Sequence, residues 1–251
     1  MSEPILIHNP DGSTSVVSIN DRDTTAEAVA SIANATESLA RDFSSAADLS
    51  YRLPEDIVKL LSGASSDITG TIAKAQVAAS VAAAHRNNDT LFPAGRERLA
   101  NEEISKADSE VTAALEAADA KIEVAEALLY VAARPTMPAG AEVAARADAR
   151  MALDGAAPLQ LPEIVKSLAQ RGDAVGALVT DGSWLDLYLN SRGVDRDLAE
   201  AVKTLVKSQV FEAAAVSEDP KRAAAGRTAQ ALVHLRKARV AAQTYRRNKL
   251  S

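Results

Sequence analysis

Three histidines, a cluster of carboxylates and a run of basic residues are the groups in this chain whose types lend themselves to chemistry. Acid–base or metal chemistry needs several such groups to converge at a set spacing. His8, His85 and His234 stand far apart, and none has a second histidine or a carboxylate at the spacing of an HExxH helix. They read as surface or capping residues. In "NEEISKADSE", Glu102, Glu103, Asp108 and Glu110 supply the oxygen ligands that a carboxylate-bridged metal pair would use. Helical proteins with such centres add ExxH from facing helices, and no ExxH occurs in this sequence. The acids are interleaved with apolar heptad positions, the pattern of a solvated helix face. GxGxxG, GxxxxGKS/T and GxSxG are all absent, so nucleotide binding and a hydrolase nucleophile have no sequence support. The expectation is a non-enzymatic chain with no cofactor, no metal and no catalytic residue.

Binding groups are easier to find. From Lys221 to the end the chain has nine Lys or Arg and no Asp or Glu, whereas the preceding 220 residues hold 19 basic and 34 acidic residues. A tail near +9 follows a body near −15, an asymmetry that speaks of partners rather than of fold. Arg227, Arg236, Lys237, Arg239, Arg246, Arg247 and Lys249 are therefore candidate partner-binding residues. Turned at 100° per residue, Ala225, Ala229, Leu232, Val233 and Val240 gather on one stripe, with Arg236 and Arg247 falling on it. A membrane-surface helix separates its faces more cleanly, so no membrane is expected. Three uses stay open: docking on the acidic body of the same or a neighbouring subunit, docking in an acidic groove of another protein, or contact with nucleic-acid phosphates. Trp184 and Tyr188, with Leu185, Leu187 and Leu189, form the densest patch of large apolar side chains. It is either core or a protein-protein anchor. "RGD" at residues 171–173 suits a helix stop followed by an N-cap. The sequons at Asn34 and Asn88 carry no meaning without a secretion signal.

The elements that would position these groups are mostly helical. "ILIH" and "TSVVSI" around Pro10-Asp11-Gly12 predict a β-hairpin. Thr24 and Glu27 form a capping box before a helix whose face is Val29, Ile32, Thr36, Leu39 and Phe43. A short helix is expected from Pro54 to a stop at Gly63, then another with Ile68, Ile72, Ala75, Ala79 and Ala82 on one face, ended by "NNDT". A long helix from Pro93 to Arg134 carries Val111, Leu115, Ala118, Ile122, Ala125, Leu129 and Ala132 in a heptad seam. That seam is buried either within one chain or between subunits. "RPTMPAG" breaks the chain at residues 134–140. Shorter helices follow, with Gly155 and Gly172 as stops and Asp173, Ser183 and Asp195 as N-caps. The fold class is mostly α: an antiparallel helical bundle with one long heptad helix, a short N-terminal β-hairpin and a basic C-terminal helix. The segments are 1–23 (hairpin arm), 24–134 (long-helix bundle), 135–220 (short helices) and 221–251 (basic helix).

Composition agrees with close helix packing: 47% hydrophobic, much of it Ala, only 3% aromatic, and no cysteine. The longest apolar run, "AQVAASVAAAH", falls well short of the ~20 residues a membrane span needs, and no targeting segment is read at the N-terminus. In this make-up, with its N-terminal hairpin, Ala-rich heptad helices and basic C-terminal helix, the chain resembles small virion and assembly proteins of tailed bacteriophages. The resemblance implies a structural part such as a head-tail connector or capsid-associated protein. It would act as a homo-oligomer beside portal, capsid or tail components, in the virion or the host cytoplasm. A nucleic-acid-binding assembly factor using the basic helix is the alternative.

Overall fold

Heptad runs of Leu, Ile and Ala become three long helices. The computed structural model describes residues 53–250 and, before them, residues 5–8, 14–17, 31, 32, 34 and 35. Strands β1 (Ile5–His8) and β2 (Thr14–Val17) pair antiparallel with Ile5 opposite Val17. The turn at Pro10–Gly12, the capping box at Thr24 and the face residues Val29, Thr36, Leu39 and Phe43 lie outside the described residues. Ile32 and Ala35 are helical and buried. Then come α1 (Glu55–Arg86), α2 (Pro93–Ala133), α3 (Glu142–Leu153), a 3-10 turn (Pro158–Gln160), α4 (Leu161–Ala169), α5 (Ala174–Thr180), α6 (Ser183–Ser191), α7 (Arg196–Ala215) and α8 (Pro220–Leu250). The described chain is mostly α.

The chain gathers into two compact units: residues 1–40, 58–125 and 231–251, and residues 41–57 and 126–230. In the first, α1 and α2 run antiparallel, as their ion pairs record: Lys121 Nζ to Asp67 (2.5 Å), Lys74 to Glu110 (3.3 Å) and Arg86 to Glu97 (3.4 Å). The C-terminal part of α8 also lies antiparallel to α2. Leu61, Ala64, Ile68, Ile72, Ala75, Ala78 and Ala82 of α1 face inward, as do Leu232, Leu235, Ala238, Ala242 and Tyr245 of α8. Along α2 the buried positions are Val111, Leu115, Ala118, Ile122, Ala125 and Leu129, so the expected seam is covered by the chain's own helices.

Several expectations are corrected. Gly63 does not stop a helix, because α1 runs unbroken through Gly63 and Gly70. A helical glycine costs roughly 1 kcal/mol, and the buried line Leu61–Ala64–Ile68–Ile72 outweighs that local cost. Ala133 rather than Ala132 continues the α2 seam, and Ala78 rather than Ala79 the α1 face. In each case the next residue around the helix is drawn in by its tertiary neighbours. Ser183 is the first residue of α6, not its cap. Gly182 takes that place with φ +84°, and the Ser183 hydroxyl donates to Asp181 (2.7 Å).

The second unit packs α4 on α7, and α5 on α3, α4 and α6. Asp173 caps α5 by accepting from the Val175 and Gly176 amides, and Asp195 caps α7 by accepting from Asp197 N. Arg192 closes the end of α3: its guanidinium donates to the carbonyls of Leu153 (3.1 Å), Asp154 (3.0 Å) and Ala156 (3.0 Å) and to the Tyr188 hydroxyl (2.9 Å). Carbonyls at and just past a helix end lack intrahelical donors, and this guanidinium supplies them for Leu153, Asp154 and the turn that follows. Arg222 does the same for α2 by donating to Ala133 O (3.0 Å).

Gly226 is where α8 comes closest to α7 in this unit. A Cβ there would lie 2.3 Å from Ala215 N and 2.7 Å from Phe211 O, both on the α7 backbone. Gly226→Ala should therefore lower stability by about 1–3 kcal/mol through overpacking. Gly70→Ala, where a Cβ meets nothing within 4 Å, should raise it by about 0.5–1 kcal/mol. Thermal or urea unfolding of the two variants reads both signs.

Candidate interaction face of the C-terminal helix

The side chains of α8 divide by angle around its axis. Its buried stripe is Thr228, Leu232, Leu235, Ala238, Ala242 and Tyr245, spaced by three or four residues. Of the stripe anticipated from sequence, Ala225 and Leu232 are buried, but Val233 and Val240 are not. Val233 is 47% and Val240 61% exposed, on the far side of the helix. Leu232, Leu235 and Tyr245 bury far more apolar surface than two valines, and burial is what sets the phase. Arg236 and Arg247 thus do not interrupt the apolar stripe, and both are exposed. Arg239, Arg246 and Lys249 lie on the inward side of α8 instead, and that side is already filled by the chain's own helices. No described helix is long and apolar enough to cross a membrane.

The flanks of the stripe hold ion pairs. Arg239 Nε donates to both Asp119 oxygens (3.0 and 2.9 Å), with Nη2 2.7 Å from Oδ2. Arg246 donates from Nε to Asp108 Oδ1 (2.6 Å) and from Nη2 to Oδ2 (2.8 Å), a two-pronged geometry that suits a planar guanidinium. Arg227 Nε donates to Ala215 O (3.4 Å). Arg239 and Arg246 thus dock the basic helix on carboxylates of the chain's own body, while Arg227 meets a backbone carbonyl. Sequence alone did not single out α2 as the acceptor, although its nine acidic against four basic residues were the available signal.

Opposite the stripe lies a different surface. Val233, Arg236, Lys237, Val240, Ala241 and Thr244, with Ser31 beside them, line a shallow groove of about 420 Å³. Arg247 lies on the same side of the helix by angle. Of the sequence candidates, Arg236, Lys237 and Arg247 are brought together here, while Lys249 is half-buried away from this face.

The remaining candidates have intramolecular places in the second unit. Trp184 is 8% exposed and stacks on Tyr188, with ring centroids 5.2 Å apart and planes at 20°. The Tyr188 hydroxyl donates to Asp154 (3.0 Å), and burial, reinforced by that carboxylate, pushes its pKa up. Both rings belong to the core of this fold. The acidic cluster does not converge: Asp108 turns to α8, Glu110 to Lys74 of α1, and Glu102 to Arg98 (2.8 Å). His85 and His234 are half-buried on separate helices, and the His8 side chain lies outside the described residues. Among the described residues no three His, Cys, Asp or Glu are grouped to hold a metal. Comparison with protein-family models, curated proteins and solved structures finds no match for the chain.

The Asp108–Arg246 pair has a pH signature. Hydrogen bonds from Arg246 hold the Asp108 carboxyl below its ordinary value, with desolvation opposing them. A depressed folded pKa means stabilisation that is full above the unfolded value of about 3.9 and is lost as pH falls through the folded value. Asp108→Asn should cost about 0.2–1 kcal/mol at pH 7, the range for a partly exposed pair. It should also flatten the loss of stability below pH ~4, as read by urea unfolding across an acid series.

Proposed function

We propose that this chain is a non-enzymatic structural or interaction protein that works as an oligomer. In this reading the outward face of α8 docks an acidic surface of another protein. One observation carries it: in a chain of net charge −6, Arg236, Lys237 and Arg247 lie together on the side of α8 that the fold does not bury. Val233 and Val240 between them add apolar area. A cationic face with an apolar centre matches an acidic helix or groove better than it matches lipid. The resemblance to tailed-phage virion proteins gives this reading a setting, a head-tail connector or capsid-associated position. That setting rests on the resemblance alone.

Nucleic-acid binding is the competing outcome, and salt dependence separates the two. A duplex that met only these three cations would show a log K against log salt slope of about −3, whereas engagement of all nine tail cations would give about −8. Deleting residues 221–251 is not a clean test, because Leu232, Leu235 and Tyr245 are core. The triple variant Arg236→Glu/Lys237→Glu/Arg247→Glu leaves the core intact. Titrated with poly-glutamate and with a labelled duplex, the wild type should bind poly-glutamate at moderate salt, and the variant should lose at least tenfold in affinity. Tight duplex binding with a slope near −8 overturns the protein-docking reading.

A further inference from the structure

The turn between α1 and α2 carries a phenyl ring that the fold leaves in water. Phe92 is 87% exposed, in a chain with only three phenylalanines. Its mount is tightly bonded. Asn88 Oδ1 accepts from Thr90 N (3.0 Å) and Thr90 Oγ1 (2.6 Å), and Arg96 Nε donates to Leu91 O (2.9 Å). The amides of Gly95 and Arg96 donate to Phe92 O (2.9 and 3.0 Å). A large apolar side chain held out on such a turn forgoes much of the free energy its burial would release, and buried aromatics are what dominate the energetics of protein contacts.

The charges around the tip indicate what it meets. Arg86 pairs with Glu97 (3.4 Å), Arg96 with Asp89 (3.2 Å) and Arg98 with Glu102 (2.8 Å). Anionic lipid or nucleic acid would call for cations without partners, whereas every arginine at this tip already faces a carboxylate. The most exposed charge of these pairs is negative: the Asp89 side chain is 94% exposed.

The same helical hairpin offers a complementary hollow. Further along, Ala73, Val77 and Ala78 of α1 and Ala107 of α2 floor an open groove of about 310 Å³. Val77 is itself exposed. The Lys74–Glu110 bridge spans the rim at 3.3 Å. The rim also carries Glu103 and Lys106, and Lys106 is exposed with no ionic partner among the described residues. Tip and groove therefore match as a ring for an apolar floor, and as the exposed Asp89 carboxylate, whose far side faces Arg96, for Lys106. Val77 lies nine residues before the end of α1, which at 1.5 Å per residue is about 14 Å of helix. A chain cannot fold its own tip back across that distance. Two hairpins laid antiparallel about a two-fold axis can each place a tip on the other's groove.

We propose that the α1–α2 hairpin is a self-association surface in which Phe92 of one copy seats on the Ala73–Val77–Ala107 groove of a second copy, with Asp89 meeting Lys106. The proposal rests on the oligomer reading above and gives that oligomer a specific contact. The absence of native cysteine makes the test direct. The double variant Phe92→Cys/Val77→Cys, under mild oxidant, should form a disulfide-linked dimer on a non-reducing gel. Within one chain the two sites are too far apart for the ~4.4–6.8 Å Cα separation that a disulfide demands. Neither single variant should link as readily. Phe92→Ala, at an exposed site, should keep its helical circular dichroism and shift toward monomer in light scattering. If the wild type self-associates but the folded double variant stays unlinked, or if Phe92→Cys alone links equally well, the tip-to-groove contact is overturned and the oligomer reading survives. A wild type that is monomeric at every concentration overturns both.

Discussion

Alanine interspersed with larger residues along the helix cores is the constraint on which the rest of this structure depends. In the first unit Ala64, Ala75, Ala78 and Ala82 of α1, Ala107, Ala118 and Ala125 of α2, and Ala238 and Ala242 of α8 are buried between Leu, Ile, Val and Tyr. Small side chains let helix axes approach but bury little apolar surface per residue, and hydrophobic stabilisation scales with that area. Length compensates: the three helices run 32, 41 and 31 residues. The same closeness reappears in the second unit at Gly226, where even a methyl group has no room against the α7 backbone.

Such a seam holds helices together better than it holds them in register. An Ala/Leu heptad that slides by seven residues meets another Ala/Leu heptad, and flanking charges are the usual remedy. α2 is flanked by ion pairs to both neighbours. Asp67–Lys121, Lys74–Glu110 and Arg86–Glu97 fix it against α1. Asp119–Arg239 and Asp108–Arg246 fix it against α8. Each partly exposed pair adds little net stability. Their worth lies in making one register better than its neighbours. The charge asymmetry of the sequence, acidic body and basic tail, is in part this register device drawn out along the chain.

Helix type and extent were legible because heptad spacing survives any orientation of the helix. Pro93 to the end of α2 and the Val111–Leu129 seam follow directly from it. Phase was not legible for α8. Leu232 and Val233 are adjacent, either could lead a stripe, and only the neighbouring helices decide that Leu232, Leu235 and Tyr245 turn inward. Gly63 misled for the same reason: a local stop signal was outweighed by non-local burial. The choice between core and interface for Trp184 and Tyr188 required knowledge of what stands opposite them, here Asp154 and Arg192. Phe92 had no signal at all in the periodic pattern, because it sits in a turn, and its interest comes only from being left exposed.

The two surfaces proposed to meet partners do not compete for the same space. The buried stripe of α8 faces into the bundle, so its Arg236–Lys237–Arg247 side points away from it. The Val77–Ala107 groove belongs to α1 and α2 alone, and α8 meets α2 through Asp108 and Asp119, on other positions around that helix. A second copy seated on the groove therefore leaves the outward side of α8 open. Pairing through the hairpins would present two cationic faces from one dimer, and two linked weak contacts bind an extended acidic partner far more tightly than one. Three cations and two valines form a small interface for a stable complex on their own. The physical case for an interaction protein thus becomes strongest when self-association and partner docking act together, since each makes up for the modest size of the other.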